Sequence, residues 1–179
     1  MSTNLPAPLD LGPMPVGRQM TTIDERLVQA PMSRVFALAA DVERWPALLP
    51  HYRYVRFLEH RADGGGVVEM SANRPFGLLN WPTWWRSSMR VRRPGGTEPA
   101  SIRFTHIGGV TRGMEVEWTF HDVPGSGATR VRLVHEWDGP NVPVVGAAAA
   151  TLVIGPVFVH GIASRTLAGL AAEAERGAR

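Results

Sequence analysis

The sequence predicts an α+β protein in which a curved antiparallel sheet of seven strands encloses a cavity together with two short helices and a long C-terminal helix. Strand-like segments with alternating apolar and polar residues follow one another from residue 52 to residue 137. Short turns rich in glycine and proline separate them, which requires antiparallel neighbours because a parallel pair needs a long crossover. An apolar, alanine-rich segment then follows the last strand, and this favours a buried helix that closes the sheet.

The first strand and the first short helix follow one another near the start of the chain. The strand is expected from Thr22 to Val28. Pro31 then supplies the backbone angle that is favoured at the start of a helix. Apolar side chains recur behind it at helical spacing, at Val35, Phe36, Leu38 and Ala39.

A second short helix is predicted between Asp41 and Pro50. The Asp41 side chain can cap its N-terminus. Trp45 carries the buried bulk, and Pro46 lies in the first turn, where its missing N–H leaves no hydrogen bond unmade. Pro50 ends the helix, and the chain returns to a strand at Tyr52.

Six further strands complete the predicted sheet. The turns Gly64–Gly66, Arg93–Gly96 and Pro124–Gly127 combine residue types that favour chain reversal. The expected strands after the second helix are residues 52–61, 67–73, 84–92, 101–107, 114–122 and 129–137.

Alternation along the strands assigns one face of each strand to the interior. In the last three strands this face carries His106, Trp118 and His135 among large apolar side chains. A neutral imidazole passes protons near pH 7, so His106 and His135 are the candidate catalytic residues. A structural role is the alternative, since a buried histidine needs a hydrogen-bond partner whether or not it meets a ligand. The strand residues predicted to bind a ligand in this interior are Trp85, Ser87, Met89, Phe104, Trp118 and Trp137.

The C-terminal part of the chain raises the question of a membrane span. Residues 139–164 contain no Asp, Glu, Lys or Arg, and that length is enough to cross a bilayer. Pro140, Pro143 and Pro156 interrupt the segment, and such prolines kink or end a helix. We therefore predict no transmembrane span, and instead a long helix over residues 145–176 that is apolar nearly all round because the sheet encloses it.

With these elements in place, the sequence resembles the START-like (SRPBCC) superfamily, and in particular its polyketide cyclase/dehydratase family, over residues 22–176. The resemblance is carried by Ala30–Pro31, by the Asp41–Pro46 segment with its Trp-Pro pair, and by seven strands followed by a long helix. It implies a helix-grip fold, in which the sheet and the long helix enclose a cavity for a hydrophobic ligand.

Aromatase/cyclases of this family have a tyrosine after the Trp-Pro helix and an arginine on the fourth strand, and both position carbonyl groups. Tyr52 matches the tyrosine by its spacing from Trp45, which implies a ligand-binding role for Tyr52. A gap-free alignment gives Arg90 for the arginine, but alternation turns Arg90 outward. A slip of one residue would exchange the two faces, so the register of residues 84–92 decides whether the cavity holds a cation. The apolar register is favoured, because burying an unpaired arginine is costly.

Composition limits the number of domains and the classes of binding partner that this chain can have. The 179 residues, 44% of them hydrophobic, can bury one sizeable core. Residues 21–179 are therefore expected to form a single domain behind a flexible, proline-rich arm at residues 1–20. The chain has no cysteine, its net charge is +3, and its arginines form no basic stripe of the kind that binds nucleic acid. No secretory signal opens the chain, so we expect a cytoplasmic protein, and we expect neither a metal nor a cofactor.

Two functions of different classes remain open. One is a cofactor-independent polyketide cyclase/dehydratase in which His106 and His135 transfer protons, while Tyr52 and Ser87 orient the substrate. The other is a non-catalytic carrier or sensor of a lipid, quinone or polyketide, in which the same histidines hydrogen-bond to ligand oxygens. An acyl carrier protein is a candidate partner for the exposed arginines Arg92, Arg93, Arg130 and Arg132, although a solvated face of the sheet is the alternative. A homodimer stays open as well.

Overall fold

The structure, a computed structural model, describes residues 5–76, 79–139 and 159–177 of the chain. A 3₁₀ turn at Val42–Arg44 joins the first two helices. The strands and helices are β1 (Met20–Val28), α1 (Met32–Ala40), α2 (Trp45–Leu48), β2 (Tyr52–His60), β3 (Gly66–Phe76), β4 (Leu79–Arg92), β5 (Ala100–Gly109), β6 (Glu115–Val123), β7 (Ala128–Trp137) and α3 (His160–Arg176).

All seven strands belong to one sheet, and every neighbouring pair is antiparallel. Their order is β1-β7-β6-β5-β4-β3-β2, so the two helices between β1 and β2 span the sheet from one edge to the other. The predicted α+β fold is confirmed. The predicted part of the C-terminal helix at residues 145–158 lies outside the described residues.

The inner face of the sheet carries the residues that alternation assigned to it. On β4 the side chains of Trp85, Ser87, Met89 and Val91 are buried, and on β5 those of Ile102, Phe104 and His106. Antiparallel pairing brings these strands side by side, with Ser87 opposite His106 and Met89 opposite Phe104. The apolar register of residues 84–92 is therefore the one that the structure adopts.

The two short helices close one end of the interior. Pro31 precedes α1 as its N-cap, and Phe36 of α1 packs edge-on against Phe120 of β6 with ring centroids 5.2 Å apart. The predicted cap by the Asp41 side chain is wrong, because that side chain makes no capping hydrogen bond. Its carboxylate lies instead 3.8 Å from the Arg44 guanidinium, where both groups are exposed.

Helix α3 packs most closely on β1, α1 and α2. Its buried stripe contains Ala163, Leu167, Leu170, Ala171 and Ala174, and this spacing is that of one helix face. No helix of the described residues is long and apolar enough to span a membrane.

The N-terminal arm lies against the outer face of the sheet within residues 5–19. Arg103 of β5 donates hydrogen bonds to the backbone carbonyls of Gly12 and Pro13. Its guanidinium also lies 3.0 Å from the carboxylate of Glu115, and both side chains are buried. Flexibility of the arm stays a prediction. The backbone carbonyls of an irregular, proline-rich segment are not bonded to a neighbouring strand, so they can accept hydrogen bonds from a side chain of the sheet.

Gly169 of α3 lies close to Leu49, the residue that follows α2, and this contact supplies a test of the packing. A Cβ at residue 169 would lie 2.3 Å from Cδ2 of Leu49, whose side chain is fully buried, whereas a Cβ at Gly161 would meet nothing within 4 Å. Alanine favours a helix over glycine at both positions. We expect Gly161→Ala to be neutral or stabilising, and Gly169→Ala to lower the free energy of unfolding by about 1–3 kcal/mol through overpacking.

Denaturant unfolding of both variants and the parent protein measures the difference. Equal stability of the two variants would contradict a close approach of α3 to Leu49.

Candidate ligand cavity

A cavity lies between the inner face of the sheet and helix α3. It contains about 550 Å³ of space free of atoms, part of which is open to solvent. Helix α3 contributes mostly small side chains to the wall, such as Ala163 and Thr166, which leave room in front of the sheet. The sheet, α2 and the turn before β6 contribute most of the apolar side chains of the lining, which are Trp45, Tyr52, Met70, Trp85, Phe104, Met114, Val116, Trp118 and Leu133.

The structure brings six of the nine predicted site residues to this cavity. Ser87, Met89 and Trp137 are buried but do not belong to its lining. Ser87 and Met89 lie further along β4 than Trp85, toward the end of the sheet that α1 closes. The catalytic and binding roles of all nine residues stay predictions. The six that line the cavity are Tyr52, Trp85, Phe104, His106, Trp118 and His135.

Arg90 does not point into the cavity. It pairs with Arg103 across β4 and β5 on the outer face, where it borders a small depression with Arg92 and Glu117. The cavity therefore takes no cation from this position of β4.

His106 is held by the turn that follows its own strand. Its Nδ1 atom lies 2.7 Å from the Thr111 hydroxyl, and both side chains are buried. Its backbone N–H donates to the Met114 carbonyl, and its carbonyl accepts from the Gly113 N–H. The Trp85 ring stacks on the imidazole with a centroid distance of 6.0 Å and an interplanar angle of 19°. The Thr111 hydroxyl and the Trp85 ring together fix the orientation of the His106 imidazole.

The turn that carries Thr111 is itself braced. Trp137 Nε1 donates to the Arg112 carbonyl at 3.0 Å, and Arg18 Nη1 donates to the Gly113 carbonyl at 2.9 Å. Gly109 enters the turn with φ +86°, and a Cβ there would lie 2.3 Å from the Trp84 carbonyl oxygen of β4. Only glycine tolerates this conformation and this approach at once. Trp137, predicted as a cavity residue, thus supports the cavity from behind.

His135 has a similar partner on the first strand. It lies opposite Thr22 in the pairing of β1 with β7, and its Nδ1 atom is 3.2 Å from the Thr22 hydroxyl. A hydroxyl can donate or accept, so both threonine contacts are compatible with either tautomer of the imidazole. Both histidines can therefore present a donor or an acceptor to a ligand oxygen.

A third polar group lines the cavity beside Tyr52. The Tyr52 hydroxyl lies 3.3 Å from Thr166 Oγ1, which also lies 3.0 Å from Nε2 of His51. Burial, and to a smaller degree the positive charge of Arg165, lower the pKa of His51 below its ordinary value. The imidazole is thereby kept neutral near pH 7.

Sequence reasoning missed Thr111, Thr166 and His51. Thr166 stands among the apolar residues of the buried stripe of α3, and a hydroxyl there was the available signal. Thr111 gives no such signal, because it lies in an irregular turn.

Aromatic rings form a connected wall on one side of the cavity. Trp45 lies 5.3 Å from the Tyr52 ring and 6.0 Å from the Trp118 ring, and Tyr52 lies 6.3 Å from the Trp85 ring. Such rings offer large apolar area at low conformational cost. Within residues 5–76, 79–139 and 159–177, no group of three or more His, Asp or Glu side chains lies close enough together to hold a metal ion. The arrangement suits an apolar molecule with a few oxygen atoms.

Comparison with known proteins gives matches over most of the chain. A sequence profile of the family described as "Polyketide cyclase / dehydrase and lipid transport" matches residues 28–158. A search of curated protein sequences found no match.

Three solved structures illustrate the likeness in fold. The Zhui aromatase/cyclase of Streptomyces sp. R1128 is 19% identical, with a TM-score of 0.74 over 89% of this chain and 95% of that one. A START superfamily protein of Mycobacterium smegmatis is 13% identical, with a TM-score of 0.65 over 88% and 98%. The di-domain aromatase/cyclase StfQ of the steffimycin biosynthetic pathway is 20% identical, with a TM-score of 0.59 over 87% and 45%.

Trp118 provides a test of whether the aromatic wall meets a ligand. Replacement by phenylalanine removes ring area from the lining while a buried aromatic side chain remains. We expect Trp118→Phe to weaken binding of the neutral dye N-phenyl-1-naphthylamine by about 1 kcal/mol or more, because contact area and ring geometry are lost.

The matched control is Trp84→Phe, since Trp84 is exposed outside the cavity. Fluorescence titration should show parent affinity for this control. Parent affinity in Trp118→Phe as well would remove Trp118 from the binding wall.

Proposed function

Because the chain belongs to the polyketide cyclase/dehydrase and lipid transport family, we propose that its cavity binds a hydrophobic small molecule and that the protein acts on it as a cofactor-independent polyketide cyclase/dehydratase. The observation that carries the proposal is an aromatic cavity with two oriented imidazoles, His106 and His135, in its wall. An apolar site with a few placed polar groups is the usual form of a small-molecule site.

The chemistry of a poly-β-ketone chain suits these groups. The hydrogens between two carbonyls are acidic, so one neutral imidazole can remove a proton and leave an enolate. The enolate carbon then attacks a distant carbonyl of the folded chain, and a protonated imidazole donates a proton to the new alkoxide. Loss of water completes a dehydration, and protons balance without a metal or a redox partner. Aromatic walls favour the folded chain, since proximity converts the attack into an intramolecular step.

The similar structures agree with this proposal at the level of fold. The Zhui protein and StfQ are aromatase/cyclases by name. Their identity to this chain is 19% and 20%, so they support the fold alone, and the proposed reaction rests on the cavity and its imidazoles.

The second candidate function is a non-catalytic carrier, because the family description also names lipid transport. In a carrier, His106, His135 and Tyr52 would hydrogen-bond to ligand oxygens and would transfer no proton. Both functions need the same apolar cavity. They differ in whether a side chain that can gain and lose a proton is required.

An acyl carrier protein is the proposed donor of a polyketide chain, and the outer face of β2, β3 and β4 suits an acidic partner. Arg56 and Arg86 both hydrogen-bond to Glu69, with N···O distances of 2.6 and 3.0 Å. Two guanidinium groups for one carboxylate leave net positive charge on a surface where both arginines are substantially exposed.

His135 separates the enzyme from the carrier. The change His135→Gln keeps a side chain that hydrogen-bonds but cannot pass a proton near neutral pH. A cyclase/dehydratase should lose turnover by roughly 10²-fold or more, with ligand affinity nearly retained. The assay follows loss of water from a poly-β-ketone thioester by mass spectrometry, and dye titration reports affinity.

His121→Gln is the matched control, because His121 is an exposed histidine on the opposite face of the sheet. A carrier would show no turnover in the parent protein and only a modest change of affinity in His135→Gln. Parent turnover in His135→Gln would exclude His135 from proton transfer.

A further inference from the structure

A chain of hydrogen bonds leads out of the cavity beside helix α3. The Tyr52 hydroxyl lies 3.3 Å from Thr166 Oγ1, and Thr166 Oγ1 lies 3.0 Å from Nε2 of His51. Tyr52 and Thr166 are buried and line the cavity, whereas His51 is half-buried and does not line it. These three groups connect the cavity wall to a side chain that water reaches.

We propose that Tyr52, Thr166 and His51 form a relay that takes a proton from a hydroxyl or enol of the bound ligand and passes it to His51. The inference rests on the ligand cavity proposed above and identifies a proton route separate from His106 and His135. The ligand O–H gives its proton to Tyr52 Oη, the Tyr52 proton passes to Thr166 Oγ1, and the Thr166 proton passes to His51 Nε2. The ligand becomes an oxyanion and His51 an imidazolium, so protons and charge balance.

Thr166 is suited to the central position. A hydroxyl has one hydrogen to donate and two lone pairs that accept. The Oγ1 atom of Thr166 lies 2.8 Å from the carbonyl oxygen of Ile162, one helical turn earlier in α3, and donates a hydrogen bond to it. While it does so, Tyr52 and a protonated His51 Nε2 can both donate to its oxygen. When Nε2 carries no proton, the Thr166 hydroxyl can rotate from Ile162 to Nε2 and open the route.

The surroundings of His51 keep its imidazole in the neutral form, which is the form that can accept a proton, near neutral pH. Burial and the Arg165 guanidinium of α3 lower the pKa of His51 from its ordinary value of 6.5, so the imidazole is neutral there. The Tyr52 ring packs against the imidazole with a centroid distance of 4.8 Å. The accepted proton can leave to water, because His51 is only half-buried.

A photoacid probe tests the relay directly. 2-Naphthol becomes a much stronger acid when it absorbs light, and it emits at longer wavelength once it has lost its proton to a nearby acceptor. 2-Methoxynaphthalene has the same rings and no proton to lose. We expect both compounds to bind the parent protein, and bound 2-naphthol to show strong naphtholate emission.

Variants of the relay should separate proton passage from packing. Thr166→Val keeps the shape of the side chain without its hydroxyl, and His51→Gln keeps a hydrogen-bonding group that cannot take the proton. Both variants should still bind 2-methoxynaphthalene and should lose most of the naphtholate emission. Thr166→Ser restores the hydroxyl and should restore the emission. His60→Gln, at an exposed histidine of β2, is the control and should match the parent.

The pH dependence provides a second signature. Protonation of His51 removes the acceptor, so naphtholate emission should fall as pH decreases through the lowered pKa of His51, which faces Arg165 and the Tyr52 ring. This step should be absent in His51→Gln.

Parent-like emission in both Thr166→Val and His51→Gln, with both probes bound, would overturn the relay and leave the cavity function standing. Failure of the parent protein to bind either probe would overturn the cavity function and the relay with it.

Discussion

The position of helix α3 is the constraint on which the cavity depends. The described helix packs on β1 at one edge of the sheet, on α1, and on α2, which contacts β2 at the other edge. The inner faces of β4 to β7 carry the large aromatic side chains. Close contact at both edges keeps the helix over the concave face without filling the space in front of the central strands. Gly169 allows the approach to Leu49, and small side chains such as Ala163 leave volume.

This arrangement explains why the polar groups of the interior are few and oriented. A buried imidazole or hydroxyl needs a hydrogen-bond partner, and threonine provides one in each of three places. Thr111 meets His106, Thr22 meets His135, and Thr166 meets both Tyr52 and His51. Threonines add no charge to an apolar cavity, and they fix ring positions while leaving the tautomer open.

Alternation in the sequence was sufficient to place His106, Trp118 and His135 in one interior, because strand geometry fixes which side chains share a face. It also kept Arg90 outside, as the structure confirms. The extent of the cavity could not be read in the same way. Ser87 and Trp137 are buried but lie outside the lining, and Trp137 instead donates to the Arg112 carbonyl in the turn between β5 and β6.

The sequence pattern also could not predict how α3 is rotated about its axis or which path the irregular segments follow. Thr166 meets Tyr52 and His51 only because of how the helix is docked, and Thr111 meets His106 through a turn without periodicity. The prolines exclude regular structure from the N-terminal arm. They could not predict that Arg103 donates hydrogen bonds to two backbone carbonyls of the arm.

Ala163 allows the most direct test of the central claim that the space between α3 and the sheet is a ligand site. Its methyl group lines the cavity from the helix side, so Ala163→Phe places a ring in the space without touching His106, His135 or Tyr52 by substitution. Calorimetric titration with N-phenyl-1-naphthylamine should show binding to the parent protein and none to the variant, with the thermal unfolding midpoint of the free variant maintained. If a folded Ala163→Phe protein bound the dye with the same heat and affinity as the parent protein, the space between α3 and the sheet would not be the ligand site.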